Sequence, residues 1–140
     1  MSRKNWNEAE RQLLGAVRQT PGDYAANLRM AQCYQGMGRV GEARSYAQAA
    51  RSIYPQEAQA VKLGASLKLA MRDPAGALSD LNAFEQMLPG DAGTVFLKGT
   101  AYEAMGQRQA AASHFKRYVQ AEPGGQAAGY ANERLKAWGL

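Results

Sequence analysis

One stretch of 34 residues decides the fold, and from Ala92 to Gly125 it reads AGTVFLKGTAYEAMGQRQAAASHFKRYVQAEPGG. Its first half carries small or apolar residues at spacings of four and three: Val95, Gly99 and Tyr102. Its second half repeats those spacings: Ala111, Phe115 and Tyr118. Such spacings place side chains on one face of an amphipathic helix. Since Gly106 separates the halves and Pro123 ends the second, the stretch predicts two helices joined by a turn.

The same stretch recurs along the chain with a fixed period. Four of the five prolines stand 34 residues apart: Pro21, Pro55, Pro89 and Pro123. Four alanines keep the same step, each twelve residues before its proline: Ala9, Ala43, Ala77 and Ala111. Two residue types that keep the same 34-residue period, which we call the 34-residue lattice, indicate an internal repeat of helical hairpins. Such repeats are typical of binding proteins rather than enzymes.

The repeat resembles the tetratricopeptide repeat (TPR), whose signature runs W-x2-L-G-x2-Y, then A-x3-F, then P. The third unit matches it best, at Gly99, Tyr102, Ala111, Phe115 and Pro123. The first unit matches at Ala31, Tyr34, Ala43 and Pro55, with Ala47 in the phenylalanine slot, and the second at Ala65, Ala77 and Pro89, with Leu81 in that slot. Lys68 takes a tyrosine slot and Lys98 a leucine slot. We expect both lysines to bury their stems and keep their ammonium groups in water.

The resemblance implies an all-α fold, a right-handed α-solenoid of helix-turn-helix TPR units in one domain over residues 1–140. The expected parts are the second helix of a truncated repeat (1–23), three repeats (24–57, 58–91 and 92–125) and a capping helix (126–140). Each unit buries its apolar face only against its neighbours. Small residues let paired helices approach closely, and larger ones would overpack the contact: Ala31, Ala65 and Gly99.

The two ends of the chain depart from the regular repeat. An apolar stripe near the N-terminus lacks a first helix of its own: Trp6, Ala9, Leu13 and Ala16. We interpret the chain as part of a longer protein. The stripe could otherwise bind another chain, forming a homo-oligomer through Trp6 and Leu13, or simply cap the stack. The last helix carries its apolar residues on one face, which favours a solubilising cap over a docking helix: Ala127, Tyr130, Ala131, Leu135 and Trp138.

Composition and motifs argue against catalysis, cofactors and several partner classes. The chain has one cysteine, one histidine and no metal, nucleotide or nucleophile motif, so the sequence predicts no catalytic, cofactor-binding or metal-binding residue. Cys33 is expected to be buried and inert, and His114 to lie on an exposed helix face. The net charge of +5 comes without a lysine or arginine cluster, so nucleic acid is not expected. No run is long enough to span a bilayer, and the start resembles no signal peptide.

The TPR resemblance implies that first helices line a concave groove that takes peptides or helices of partners. Nine residues at spacings of four and three form the candidate lining: Leu28, Gln32, Gln35, Lys62, Ser66, Leu69, Phe96, Thr100 and Glu103. Only Lys62 could serve in the carboxylate clamp of chaperone-binding TPR domains, so no such clamp is expected. Leu69 and Phe96 are the expected anchors for an apolar or amphipathic segment.

These features favour a protein-interaction module, acting as a scaffold or adaptor for a protein or peptide partner. One alternative is a non-catalytic C-terminal TPR domain of a bacterial zinc metalloprotease, which recruits substrate or regulates the active site. Another is self-association through the N-terminal helix. The sequence leaves the compartment open: cytoplasmic by default, periplasmic if the chain belongs to an exported protein.

Overall fold

A computed structural model describes the backbone of residues 3–140 and the side chains from Asn5 onward. Over that range the chain forms eight α-helices and no strand: α1 (Arg3–Gln19), α2 (Tyr24–Gly36), α3 (Val40–Ile53), α4 (Ala58–Ala70), α5 (Pro74–Met87), α6 (Ala92–Ala104), α7 (Arg108–Ala121) and α8 (Ala128–Trp138). Helices α2, α4 and α6 therefore begin 34 residues apart. The predicted all-α class is confirmed, whereas Met1 and Ser2 lie outside the described residues.

Aspartate side chains cap the first turn of three of these helices. The carboxylate of Asp91 accepts a hydrogen bond from the Thr94 amide at 2.9 Å, and Asp23 begins α2 in the same way. Asp73 caps α5, with a proline as the first helical residue, where its missing N–H has no cost. A residue with positive φ lies between the two helices of each hairpin: Gly38, Arg72 and Gly106.

The chain divides into two compact units, residues 1–71 and 72–140, which we call unit 1 and unit 2. In unit 1, α2 packs against α1 and α3, and α4 packs against α3. Its main core combines these helices: Met30, Ala31, Tyr34, Ala43, Ala47 and Leu67. Leu13 of α1 packs against this core, and Trp6 lies against Gly36. The N-terminal stripe is therefore largely covered by α2 rather than open.

Unit 2 is built from α5, α6, α7 and α8. Helix α6 packs against α5 and α7, and α8 packs against α7. A buried cluster joins α7 to α8: Ala111, Phe115 and Ala131. Leu135 and Trp138 of α8 pack against the same cluster, so α8 closes unit 2 with the apolar face that the sequence indicates.

Lys98 is 9% exposed, and its ammonium group pairs with the carboxylate of Glu85, an exposed residue of α5. The hydrogen bond from Lys98 lowers the pKa of Glu85. A lysine in a leucine slot is thus accommodated by a counter-charge on α5, because a buried ammonium without one would be costly.

Two further expectations concern single reactive side chains. Cys33 is buried as predicted, and burial raises the pKa of its thiol, which disfavours the reactive thiolate. His114 is half-buried rather than exposed, because its ring lies 5.2 Å from the ring of Tyr102 and its Nδ1 lies 2.8 Å from the Ala110 carbonyl oxygen. Among the described helices, none combines the length and apolar character that crossing a bilayer requires.

Candidate functional site

Helices α2 and α4 present five of the candidate groove residues in unit 1, and we call this surface the α2–α4 face: Gln32, Gln35, Lys62, Ser66 and Leu69. The amide Nε2 of Gln35 donates a hydrogen bond to the Ser66 hydroxyl at 3.2 Å and so joins the two helices. Gln32 is exposed, and Leu69 is half-buried. The face therefore offers amide and hydroxyl groups beside an aliphatic side chain.

Leu28 does not belong to this face, which corrects the predicted lining. It is 6% exposed and packs with Ala50 of α3 and Ala60 of α4. Its spacing from Gln32 and Gln35 places it on the same side of α2. However, α3 and α4 close over the N-terminal half of that side, so its exposed part begins at Gln32.

The charge on α2 and α4 has one sign. Their sequences contain three basic residues, Arg29, Lys62 and Lys68, and no aspartate or glutamate. Acidic residues occur only at the caps, Asp23 and Glu57, before each helix begins. Of the three basic residues, only Lys62 belongs to the α2–α4 face, which is therefore polar with one basic side chain and no acidic one.

The candidate residues on α6 of unit 2 are half-buried, and two of them, Phe96 and Glu103, contact α8. The ring of Phe96 lies 5.5 Å from that of Phe115, 5.3 Å from Tyr118 and 5.9 Å from Tyr130 of α8. Phe96 is thus part of an aromatic cluster rather than an anchor presented to solvent. The hydroxyl of Thr100 donates to the carbonyl of Leu97 at 2.8 Å.

Glu103 is held by two groups of α8. Its Oε2 accepts a hydrogen bond from the Arg134 guanidinium at 2.6 Å, and its Oε1 accepts one from the Tyr130 hydroxyl. Burial, together with that hydrogen bond, raises the pKa of the Tyr130 phenol. Sequence reasoning missed the contacts between α8 and α6, although a signal was present: Tyr130 and Arg134 stand one repeat length after Phe96 and Thr100.

A cleft in unit 1 is a weaker candidate. It has a volume of about 700 Å³ and is lined by Trp6, Asn7, Gly36, Met37 and Arg39. The guanidinium of Arg39 pairs with Glu42 and with Glu10, the latter at 3.2 Å, so its charge is already matched. In the part of the chain that the structure describes, no three histidine, cysteine or acidic residues are grouped to hold a metal ion.

Comparison with known proteins identifies the relatives of this architecture. Two family models, both described as tetratricopeptide repeat, match residues 1–67 and 94–125. The crystal structure of MamA has a TM-score of 0.82 at 16% identity, covering 98% of this chain and 81% of that chain. A MamA structure from Desulfovibrio magneticus RS-1 (residue 41 to the end) has a TM-score of 0.80 at 22% identity, covering 92% and 75%.

A third solved structure contains a bound peptide. It is the first TPR of Spaghetti (RPAP3) bound to the HSP90 peptide SRMEEVD, with a TM-score of 0.73 at 18% identity, covering 84% of this chain and 94% of that chain. No curated protein matches the sequence. At these identities, the solved structures show a shared fold.

Proposed function

This chain belongs to the tetratricopeptide-repeat family, and on that premise we propose that its unit 1 binds a peptide or helix of a partner protein on the α2–α4 face. The fold class predicted from sequence, an all-α solenoid of TPR units, is that of the solved relatives. The family is a non-catalytic interaction scaffold, so the chain is not an enzyme. The specific site and its partner chemistry are our proposal.

The observation that carries the proposal is the exposure of Gln32 beside the hydrogen-bonded pair Gln35 and Ser66. On α6 the groove-facing residues Phe96 and Glu103 already contact α8. On α2 and α4, Gln32 is exposed, and the half-buried pair Gln35 and Ser66 holds the two helices in a fixed register. A fixed polar surface of this kind can hydrogen-bond an incoming backbone at a low entropic cost.

The chemistry of the face suggests the kind of segment it takes. Leu69 offers an aliphatic contact for one apolar side chain, and the five residues of the face include no acidic group with which a basic segment could pair. The RPAP3 relative binds a peptide with two adjacent glutamates, which is consistent with an acidic or neutral segment here. Phe96, which the sequence suggested as a second anchor, is not included because it contacts α8.

We do not retain the two alternatives raised by the sequence. Self-association through Trp6 and Leu13 would need an open stripe, but Leu13 packs against the core of unit 1 and Trp6 against Gly36. No described residue carries a feature that favours a protease accessory role over other interaction roles.

A peptide-display selection tests the proposal. Random twelve-residue peptides enriched on the wild-type protein would be measured against a double variant, Gln32→Glu with Leu69→Asp, and against Gln48→Asp, a matched change at an exposed position of α3. We expect at least a tenfold loss of affinity for the double variant and no loss for Gln48→Asp. Equal affinity for all three proteins, with helicity intact by circular dichroism, would contradict the α2–α4 face as the site.

A further inference from the structure

We infer that unit 2 carries a second, separate helix-binding site, and that α8 occupies it as an intramolecular ligand. Its floor is the surface of α6 and α7 that carries Phe96, Glu103 and Phe115. The occupant that fits is a single partner helix presenting an aromatic residue, an arginine and a second aromatic residue at positions i, i+4 and i+8. This site shares no residue with the α2–α4 face, so its test is independent of the proposed function.

The contacts of α8 define that pattern. Tyr130, Arg134 and Trp138 are four residues apart and therefore lie along one side of the helix. Tyr130 and Arg134 both bind the carboxylate of Glu103, and the Trp138 ring stacks on Phe115 with 6.0 Å between centroids. The Arg134 guanidinium lies 5.3 Å from the Trp138 ring centroid, so the aromatic ring also supports the cation.

Helix α8 is held by these contacts more than by its own sequence. It has 11 residues, and Ala127 at its N-cap makes no side-chain capping bond. Its buried residues are two alanines, Ala128 and Ala131. A helix of this length is marginal in isolation, so α8 depends on the floor beneath it. Its replacement by a partner helix with the same stripe therefore exchanges similar contacts.

The outer face of α8 determines what kind of occupant can compete. The outer face of α8 carries three polar residues: Asn132, Glu133 and Lys136. They stand three repeat lengths after Met30, Ala31 and Tyr34 of α2. The α2 residues are buried against α3, whereas the α8 residues are exposed. The outer face of α8 therefore lacks the apolar side chains through which α2 packs against α3, so this face does not offer the same contact to a second copy.

The floor is complementary to such a helix in charge as well as shape. Glu103 contributes a half-buried carboxylate with both oxygens directed at α8 donors. A partner helix without a cation near this carboxylate would leave it desolvated and without its charged partner, which is costly. Arginine is favoured over lysine because its planar group can bind the carboxylate and lie against an aromatic ring together.

The test uses the full-length protein and a fluorescent synthetic peptide of residues 126–140. In the Arg134→Glu protein, repulsion from Glu103 weakens the packing of α8 on its floor. We expect the wild-type peptide to bind this variant at least tenfold more tightly than it binds the wild-type protein. A peptide with Arg134→Glu should lose that binding, whereas a control peptide with Lys136→Glu, changed on the outer face, should keep it. Glu103→Arg protein should in turn bind the Arg134→Glu peptide.

A second variant guards against a folding defect. If Arg134→Glu protein loses helicity, Trp138→Ala protein replaces it, and the same tenfold gain is expected. The proposal is overturned if a folded variant binds the peptide no tighter than wild type does, or if the Lys136→Glu and Arg134→Glu peptides lose binding equally. Concentration-dependent dimers of the weakened variant by light scattering would also overturn it, since the occupant would then be the α8 of a second copy.

Discussion

Gly99 of α6 and Phe115 of α7 meet so closely that only a residue without a side chain fits. A Cβ placed on Gly99 would lie 2.6 Å from Cε1 of the Phe115 ring, which is fully buried. In unit 1 the equivalent positions hold Ala31 and Ala47, both buried in one cluster. A larger residue on the second helix is thus matched by a smaller one on the first.

Gly99→Ala should therefore lower the free energy of unfolding, although alanine favours helix by about 1 kcal/mol. Overpacking against the buried ring outweighs that gain, and we expect a net loss of about 1–2 kcal/mol. Gly15→Ala is the matched control, because a Cβ there meets no atom within 4 Å and should stabilise α1 by up to about 1 kcal/mol. Urea unfolding measures both, and stabilisation by both substitutions would contradict the close contact.

Arg72 is the only described residue other than glycine with a positive φ, at 61°. Its lattice equivalents, Gly38 and Gly106, both have φ of 76°. A side chain in the left-handed region costs about 1 kcal/mol, so Arg72→Gly should stabilise the protein by about 0.5–1 kcal/mol despite the added freedom of the unfolded chain. The reverse change, Gly38→Ala, should destabilise it by a similar amount. Thermal and urea unfolding check both signs, and a destabilised Arg72→Gly variant would refute the strained conformation.

The Glu85–Lys98 pair predicts a dependence of stability on pH. Its hydrogen bond lowers the pKa of Glu85 in the folded state, so its contribution is full above the unfolded value of about 4.3. The contribution is lost as the pH falls through the lower folded-state pKa. Since the Glu85 side chain is 48% exposed, solvent screening limits the effect of Glu85→Gln at pH 7 to about 1 kcal/mol.

Comparison of wild-type and Glu85→Gln proteins between pH 7 and pH 3 isolates this contribution. The difference in unfolding free energy should shrink towards low pH, because protonation of Glu85 removes the charge that distinguishes it from glutamine. The control is Gln86→Glu, a change at an exposed neighbouring position of α5. The difference in unfolding free energy between wild type and this variant should not change with pH. A difference that grows as the pH falls would show that the pair does not act in this way.

Trp6 packs against the backbone of Gly36, where a Cβ would overlap the indole ring. Gly36→Ala should displace the ring and loosen the start of α1. In a Trp138→Phe background, the fluorescence of Trp6 should shift to longer wavelength as the ring enters water, while Gly41→Ala, which has open space at its Cβ, should cause no shift. An unchanged emission spectrum for Gly36→Ala would contradict this packing.

The sequence predicts the repeat well because the period is encoded in residues with local effects. Asp91 caps a helix and Gly106 takes a positive φ in any tertiary context, so helix starts and turns follow from the 34-residue lattice. The exposure of side chains along a helix does not follow from local effects. Leu28 and Phe96 lie at equivalent positions of the repeat, yet Leu28 is buried by α3 and α4, whereas Phe96 is half-buried among aromatic rings of α7 and α8.

The counter-charges were equally hard to foresee. Lys98 and Glu85 lie on different helices, and their spacing of 13 residues has no helical period that would pair them. The Glu103–Arg134 contact was easier to predict, because it stands two repeat lengths after the Gln35–Ser66 hydrogen bond. The lattice thus carries information about contacts between neighbouring first helices as well as about the helices themselves.

Amide chemical shifts of the isotopically labelled protein, titrated with a display-selected peptide, test most directly that the α2–α4 face binds partners. We expect the largest shifts at Gln32, Gln35, Ser66 and Leu69, with small shifts on the exposed side of α3. Shifts concentrated at Arg44 and Gln48 of α3, or shifts of equal size over both helix sets, would contradict the account.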